Sequence, residues 1–130
     1  MKGDDRLLEI SNKQISLNRG SECTITLKVN QKEETEETFF RQGDIVSFAI
    51  YEKKKLDNSP LLYKTFNIEE NTNIVDIYLT SEDMKIGEYS NKAVEYWYEI
   101  ELNDNLTIIG FNREGPKKLI LYPEGAKDNV

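Results

Sequence analysis

Residues 93–102 read AVEYWYEIEL and alternate without a break. Val94, Tyr96, Tyr98, Ile100 and Leu102 fall on one side; Ala93, Glu95, Trp97, Glu99 and Glu101 fall on the other. Side chains of a β-strand repeat every two residues, so the stretch reads as a half-buried strand with an aromatic and aliphatic inner face. Read at the helical period it would bring Glu95, Glu99 and Leu102 together and offer no clean apolar stripe. A chain containing such a strand must supply further apolar faces to cover it.

The remaining sequence supplies them in short pieces. Residues 13–17 form a brief strand, followed by Asn18-Arg19-Gly20, which has the chemistry of a turn. Cys23, Ile25, Leu27 and Val29 alternate with Thr24, Thr26 and Lys28. Gly43-Asp44 opens IVSFAIYE, in which Val46, Phe48 and Ile50 point one way and Ser47, Ala49 and Tyr51 the other. Residues 61–68 form a strand of ambiguous phase, because Lys64 stands between Leu62 and Phe66; charge in that position marks it as an edge strand. Val75, Ile77 and Leu79 alternate with Ile74, Asp76 and Tyr78. Thr80 with Asp83 three residues later is a helix-capping pattern, which Gly87 ends after about one turn. Asn103-Asp104-Asn105 is a hairpin connection to LTIIGF, residues 112–116 form a further turn, and KLILY is a last strand ended by Pro123. Eight short strands and no helix long enough to cover a parallel sheet predict two antiparallel sheets packed face to face, an all-β sandwich with one short helical turn.

With 130 residues the chain is the size of one domain and long enough to bury a core without staples. The predicted organisation is a flexible N-terminal arm over 1–12, one β-sandwich domain over 13–123 and a flexible tail over 124–130. Leu7, Leu8 and Ile10 are the arm's docking residues. The single Cys23 has no partner for an internal disulfide, which fits a reducing compartment. No apolar run approaches the roughly 20 residues of a membrane span, and MKGDDRLLEI is too short and too polar for a signal peptide. A net charge of −7 argues against nucleic acid as a partner, since Lys and Arg supply most of that binding. The chain has no His, which removes the commonest general acid–base group and metal ligand. No cofactor is expected.

Four features compete as sites. The glutamates of residues 33–37 form a solvated loop by charge repulsion; calcium is the sharper reading, but the spacing lacks the D-x-D-x-D-G pattern. Phe39 and Phe40 tie the end of that loop to the core. Lys53, Lys54 and Lys55 are too few for a basic patch and read as a solvated hairpin end. Cys23 reads as a small apolar residue rather than a reactive thiol. The fourth feature is the acidic face of residues 93–102. Alternate residues lie about 7 Å apart on a strand, a span that suits a glycosidase carboxylate pair, yet on an open sheet such carboxylates ordinarily pair with Lys or Thr across strands. Trp97 shares this face with Glu95 and Glu99, and Tyr51 and Tyr78 occupy the polar sides of their own strands and are expected to join it. Exposed, this set is a binding surface for protein or for sugar rings; Trp97 packed beneath Phe39 and Phe40 would leave no site.

The segments NRGSECTITLKV, GDIVSFAIYEKK, VDIYLTSEDMKIGEY and YWYEIELNDNLTIIG, with KLILYPEG after them, occur in this order. Together they resemble the N-terminal immunoglobulin-like domain of upper-baseplate proteins from the tails of phages of Gram-positive hosts, over most of residues 13–125. The shared points are a Gly-acidic strand start, an acidic pair in the turn after the fifth strand and a Tyr-rich penultimate strand. The resemblance implies an immunoglobulin-like sandwich and a non-catalytic structural or attachment module. Its partners would be other virion or tail proteins or further copies of itself, and it would be a virion component made in the bacterial cytoplasm. The alternative from the residues is a carbohydrate-binding module whose ligand is a glycan.

Overall fold

The computed structural model describes residues 15–29, 38–52, 59–87, 91–109 and 117–123. The N-terminal arm, the glutamates of 33–37, the lysines of 53–55, the turn over 112–116 and the C-terminal tail lie outside the described residues. Eight strands follow in order: β1 (Ile15–Asn18), β2 (Cys23–Lys28), β3 (Ile45–Tyr51), β4 (Leu62–Asn67), β5 (Ile74–Leu79), β6 (Val94–Leu102), β7 (Leu106–Ile109) and β8 (Lys117–Tyr122). Among the described residues there is no helix, and hence none long and apolar enough to cross a membrane.

The alternating stretch read first is β6, and it is central. One of its edges pairs with β3, from Val46↔Leu102 to Tyr51↔Trp97. Its other edge is shared by two strands in succession: β7 takes the C-terminal end, Leu102↔Leu106, and β8 the N-terminal part, from Val94↔Leu121 to Tyr98↔Lys117. The large sheet thus runs β1-β8-β6-β3-β4, with β7 also on β6, and a small sheet consists of β2 and β5. The β6–β7 hairpin turns through the three residues 103–105, and Asn103 and Asp104 have φ of 54° and 59°, left-handed values that Asn and Asp tolerate.

Both sheets contribute to one core. Leu27, Val75, Ile77 and Leu79 from the small sheet join Val46, Phe48, Ile50, Tyr96, Tyr98, Ile100, Leu102, Leu119 and Leu121 from the large one. The rings of Phe48 and Tyr98 lie 5.6 Å apart at its centre. Phe39 and Phe40 enter the same core, and Phe40 bridges Thr72 through paired backbone hydrogen bonds, as expected of a loop end tied back to the sheets.

Two expectations need correction. The sheets are not wholly antiparallel, because β1 lies parallel to β8, from Ile15↔Leu119 to Asn18↔Tyr122. Nearly the whole chain separates the two strands, so no tight hairpin forces them antiparallel. The expected helical turn is a capped turn only. The Thr80 N–H donates to Asp83 Oδ2 at 2.8 Å and the Asp83 N–H donates to Thr80 Oγ1 at 3.0 Å, so the capping pair forms. The Met84 N–H then reaches back to the Thr80 carbonyl, and no helix follows, since the buried Met84 and Ile86 are drawn into the core.

The ambiguous strand is resolved as well. β4 lies at the end of the large sheet, and Lys64 pairs with Phe48, on the inward side. Its ammonium reaches across to the small sheet, donating to Asp83 Oδ2 at 2.7 Å and to the Tyr78 carbonyl at 3.1 Å. An inward-pointing charge at a sheet edge is a known guard against edge pairing.

Candidate functional site

Side chains alternate across a strand, so the residues of β6 that do not enter the core line the outer face of the large sheet. The register sets each beside a neighbour. Glu101, Glu99 and Trp97 lie opposite Ser47, Ala49 and Tyr51 of β3. Beyond these, Tyr63 of β4 lies opposite Ala49, and Thr65 opposite Ser47. On the other flank, Lys118 and Ile120 of β8 lie opposite Trp97 and Glu95. Cross-strand pairs of this kind place side chains within contact distance.

The carboxylates are individually held. Glu99 is the unusual one: it is only 7% exposed although it lies outside the core. Ala49 beside it is small and also buried, and Tyr51 Oη donates to Glu99 Oε1 at 3.1 Å. Glu95 forms a salt bridge with Lys118, Nζ to Oε2 at 3.3 Å, and Thr107 Oγ1 donates to Glu101 Oε2 at 3.4 Å. These are the Lys and Thr cross-strand pairs expected for glutamates on an open sheet. Burial, and then the Glu99 charge and hydrogen bond, push the Tyr51 phenol up to about 12. Burial also raises Glu101, assisted by the charges of Glu99 and Asp104 and opposed by the Thr107 hydroxyl.

Trp97 is half-buried and stands beside Tyr51 and Lys118. It does not belong to the core that holds Phe39 and Phe40, so it is not packed beneath them. Of the residues singled out from the sequence, Trp97, Tyr51, Glu95 and Glu99 are therefore brought together on one face. Tyr78 is not. It lies on β5 of the small sheet, exposed, with Oη donating to Glu22 Oε2 at 3.0 Å. Alternation within a strand assigns a side chain to the polar side of its own sheet, and Tyr78 belongs to the other sheet.

Tyr63 is the aromatic that sequence reasoning passed over. It is 53% exposed and shares the face of Tyr51 and Trp97, with its hydroxyl 3.4 Å from Asp104 Oδ1. Its signal was the phase of β4: once Leu62, Lys64 and Phe66 are taken as inward, Tyr63 must face outward. Cys23 is half-buried at the margin of the core, and burial pushes its thiol up, away from the reactive thiolate. Among the described residues, no group of three or more Cys, Asp or Glu side chains is placed to hold a metal ion.

Comparison of the chain with models of known protein families, with curated proteins and with solved structures returns no match.

Proposed function

We propose that the chain is a non-catalytic structural module, built as an immunoglobulin-like β-sandwich, that docks onto other proteins of a phage-type tail or baseplate through the outer face of its large sheet. The strand order supports the fold reading. In an immunoglobulin domain strands B and E pair on one sheet while C, F and G pair on the other, with C′ beside C in the variable type. Here β2 pairs β5, β3 pairs β6, β6 pairs β8, and β4 adds beside β3. A second feature agrees. Immunoglobulin domains carry a tyrosine near the start of strand F that packs back on the corner before it. Tyr96, near the start of β6, is buried with its hydroxyl against Gly87 of the preceding connection. The tail or baseplate setting is supported by the resemblance of the four segments quoted above.

The observation that carries the docking role is the Trp97–Tyr51 pair, in register on an open face whose carboxylates are engaged by neighbours. A half-buried Trp loses its remaining exposed area on docking, and large aromatics so placed dominate interface energies. The test is Trp97→Ala. Its unfolding curve should lie within about 1.5 kcal/mol of wild type, while sedimentation should show weaker association with itself or with the products of adjacent genes. A stability loss of about 3–5 kcal/mol with unchanged association would mean that Trp97 is a packing residue and would overturn the docking role. Quenching of the lone Trp by an oligosaccharide panel, lost in the variant, would favour the carbohydrate-binding alternative instead.

A further inference from the structure

The small sheet has an open edge. Among the described residues β5 pairs only with β2, and the ladder fixes which backbone groups are used. The Val29 N–H donates to the Asn73 carbonyl at 2.9 Å, and the register continues through Leu27↔Val75, Ile25↔Ile77 and Cys23↔Leu79. Hydrogen-bonded and non-bonded pairs alternate in an antiparallel ladder, so Val75, Ile77 and Leu79 direct their backbone groups at β2. Ile74, Asp76 and Tyr78 direct theirs the other way. The ends of that edge are occupied: Thr72 Oγ1 engages both the N–H and the carbonyl of Ile74, and Lys64 holds the Tyr78 carbonyl. The N–H and carbonyl of Asp76 and the N–H of Tyr78 have no partner among the described residues.

This gap opens onto a groove of about 530 Å³ between β5 and β4, the edge strand of the large sheet. Phe66 and Val75 form apolar parts of its wall, while Glu69, Glu70 and Asp76 give it negative charge; no Lys or Arg lines it. Ile74 and Tyr78, at 50% and 43% exposure, flank Asp76 on the outer side of the edge. Unpaired strand backbone beside a groove of mixed apolar and acidic lining is the geometry of strand addition, in which the main chain provides affinity and alternate side chains provide specificity.

From this we infer that the β5 edge accepts an extended segment of a partner protein that alternates apolar residues with Lys or Arg. The charge selects this occupant over a second copy of the chain. Antiparallel pairing of two β5 edges about Asp76 would crowd the carboxylates of both copies, on a chain whose net charge is −7. The site is independent of the Trp97 face.

The test uses the intact chain and a capped six-residue peptide alternating valine and lysine, with amide exchange read residue by residue. At saturating peptide, exchange of the Asp76 and Tyr78 amides should slow by at least about tenfold, and a valine–glutamate peptide should have no effect. Glu69→Gln with Glu70→Gln should weaken binding several-fold and reduce its salt dependence, with the fold unchanged. Asp76→Pro, which removes the edge N–H together with the carboxylate that accepts from Thr26 Oγ1, should abolish the response, whereas Asp76→Asn, which keeps the N–H, should retain protection of the Tyr78 amide. Equal binding by a glycine–lysine peptide would reduce the effect to charge alone and overturn the proposal, as would protection that falls elsewhere in the chain. Concentration-dependent protection of the Asp76 amide without peptide would overturn it in favour of self-pairing.

Discussion

The Tyr51 hydroxyl donates to Glu99 Oε1 at 3.1 Å across neighbouring strands, which couples a phenol to a carboxylate that is nearly buried on an outer face. Burial first, and then the charge and hydrogen bond of Glu99, push the Tyr51 phenol up to about 12, against an ordinary tyrosine value of about 10. A group whose proton is held more tightly in the folded state contributes stability that is intact below the unfolded value and lost above it. That contribution should therefore be present up to pH ~10 and disappear between about 10 and 12. Burial raises Tyr96 and Tyr98 as well, so the titration is read residue by residue by NMR; the Tyr51 ring should ionise with this midpoint, and Glu99→Gln should move it part of the way down toward 10.

Gly87 has a φ of +70°, and an added Cβ would run into the Tyr96 hydroxyl. Both the backbone conformation and the space require glycine, so Gly87→Ala should cost about 1–3 kcal/mol in urea denaturation. Gly87→Ala combined with Tyr96→Phe should recover part of that loss, because the clash involves the phenol oxygen. Equal losses in the single and double variants would assign the whole cost to φ.

Lys64 and Asp83 form a clasp between the two sheets at 2.7 Å. Burial alone would raise the Asp83 carboxyl, but the Lys64 ammonium and the hydrogen bonds from Thr80 outweigh it and hold the carboxyl below its usual range. A lowered carboxylate contributes stability at pH values above the unfolded value near 4, and loses it as the pH falls through the folded one. Lys64→Met should cost about 1–2 kcal/mol near neutrality and flatten this part of the acid unfolding curve.

Cys23 alternates with Thr24 on β2 and packs against the margin of the core, with its thiol pushed up by burial. Thiol reagents at mildly alkaline pH should modify it much more slowly than free cysteine, and at the full rate in denaturant. Rapid modification of the folded chain would place the β2–β5 sheet among the readily opening parts of the molecule.

Period-two alternation made β2, β3, β5 and β6 legible, with Val94–Leu102 the clearest, because which side a residue takes is a local property of extended backbone; the other four strands were short runs set off by turn residues. The same logic found the Asn103-Asp104 hairpin and the Thr80–Asp83 cap, whose chemistry lies within a few residues. It also placed Trp97, Glu95 and Glu99 on one face, since all three belong to one strand. Alternation cannot say which strands are neighbours. That Tyr51 stands beside Trp97 while Tyr78 does not follows from pairing β3, and not β5, with β6. The parallel seating of β1 on β8, the inward turn of Lys64 onto Asp83 and the open edge at Asp76 likewise depend on contacts between residues distant in sequence. The sequence by itself determined the strands and, wherever the alternation was clean, the two sides of each; the sides of β4 waited on its pairing with β3. Only the tertiary structure decided which sides share a surface, because sheet order is set by burying all the inward faces in one core at once.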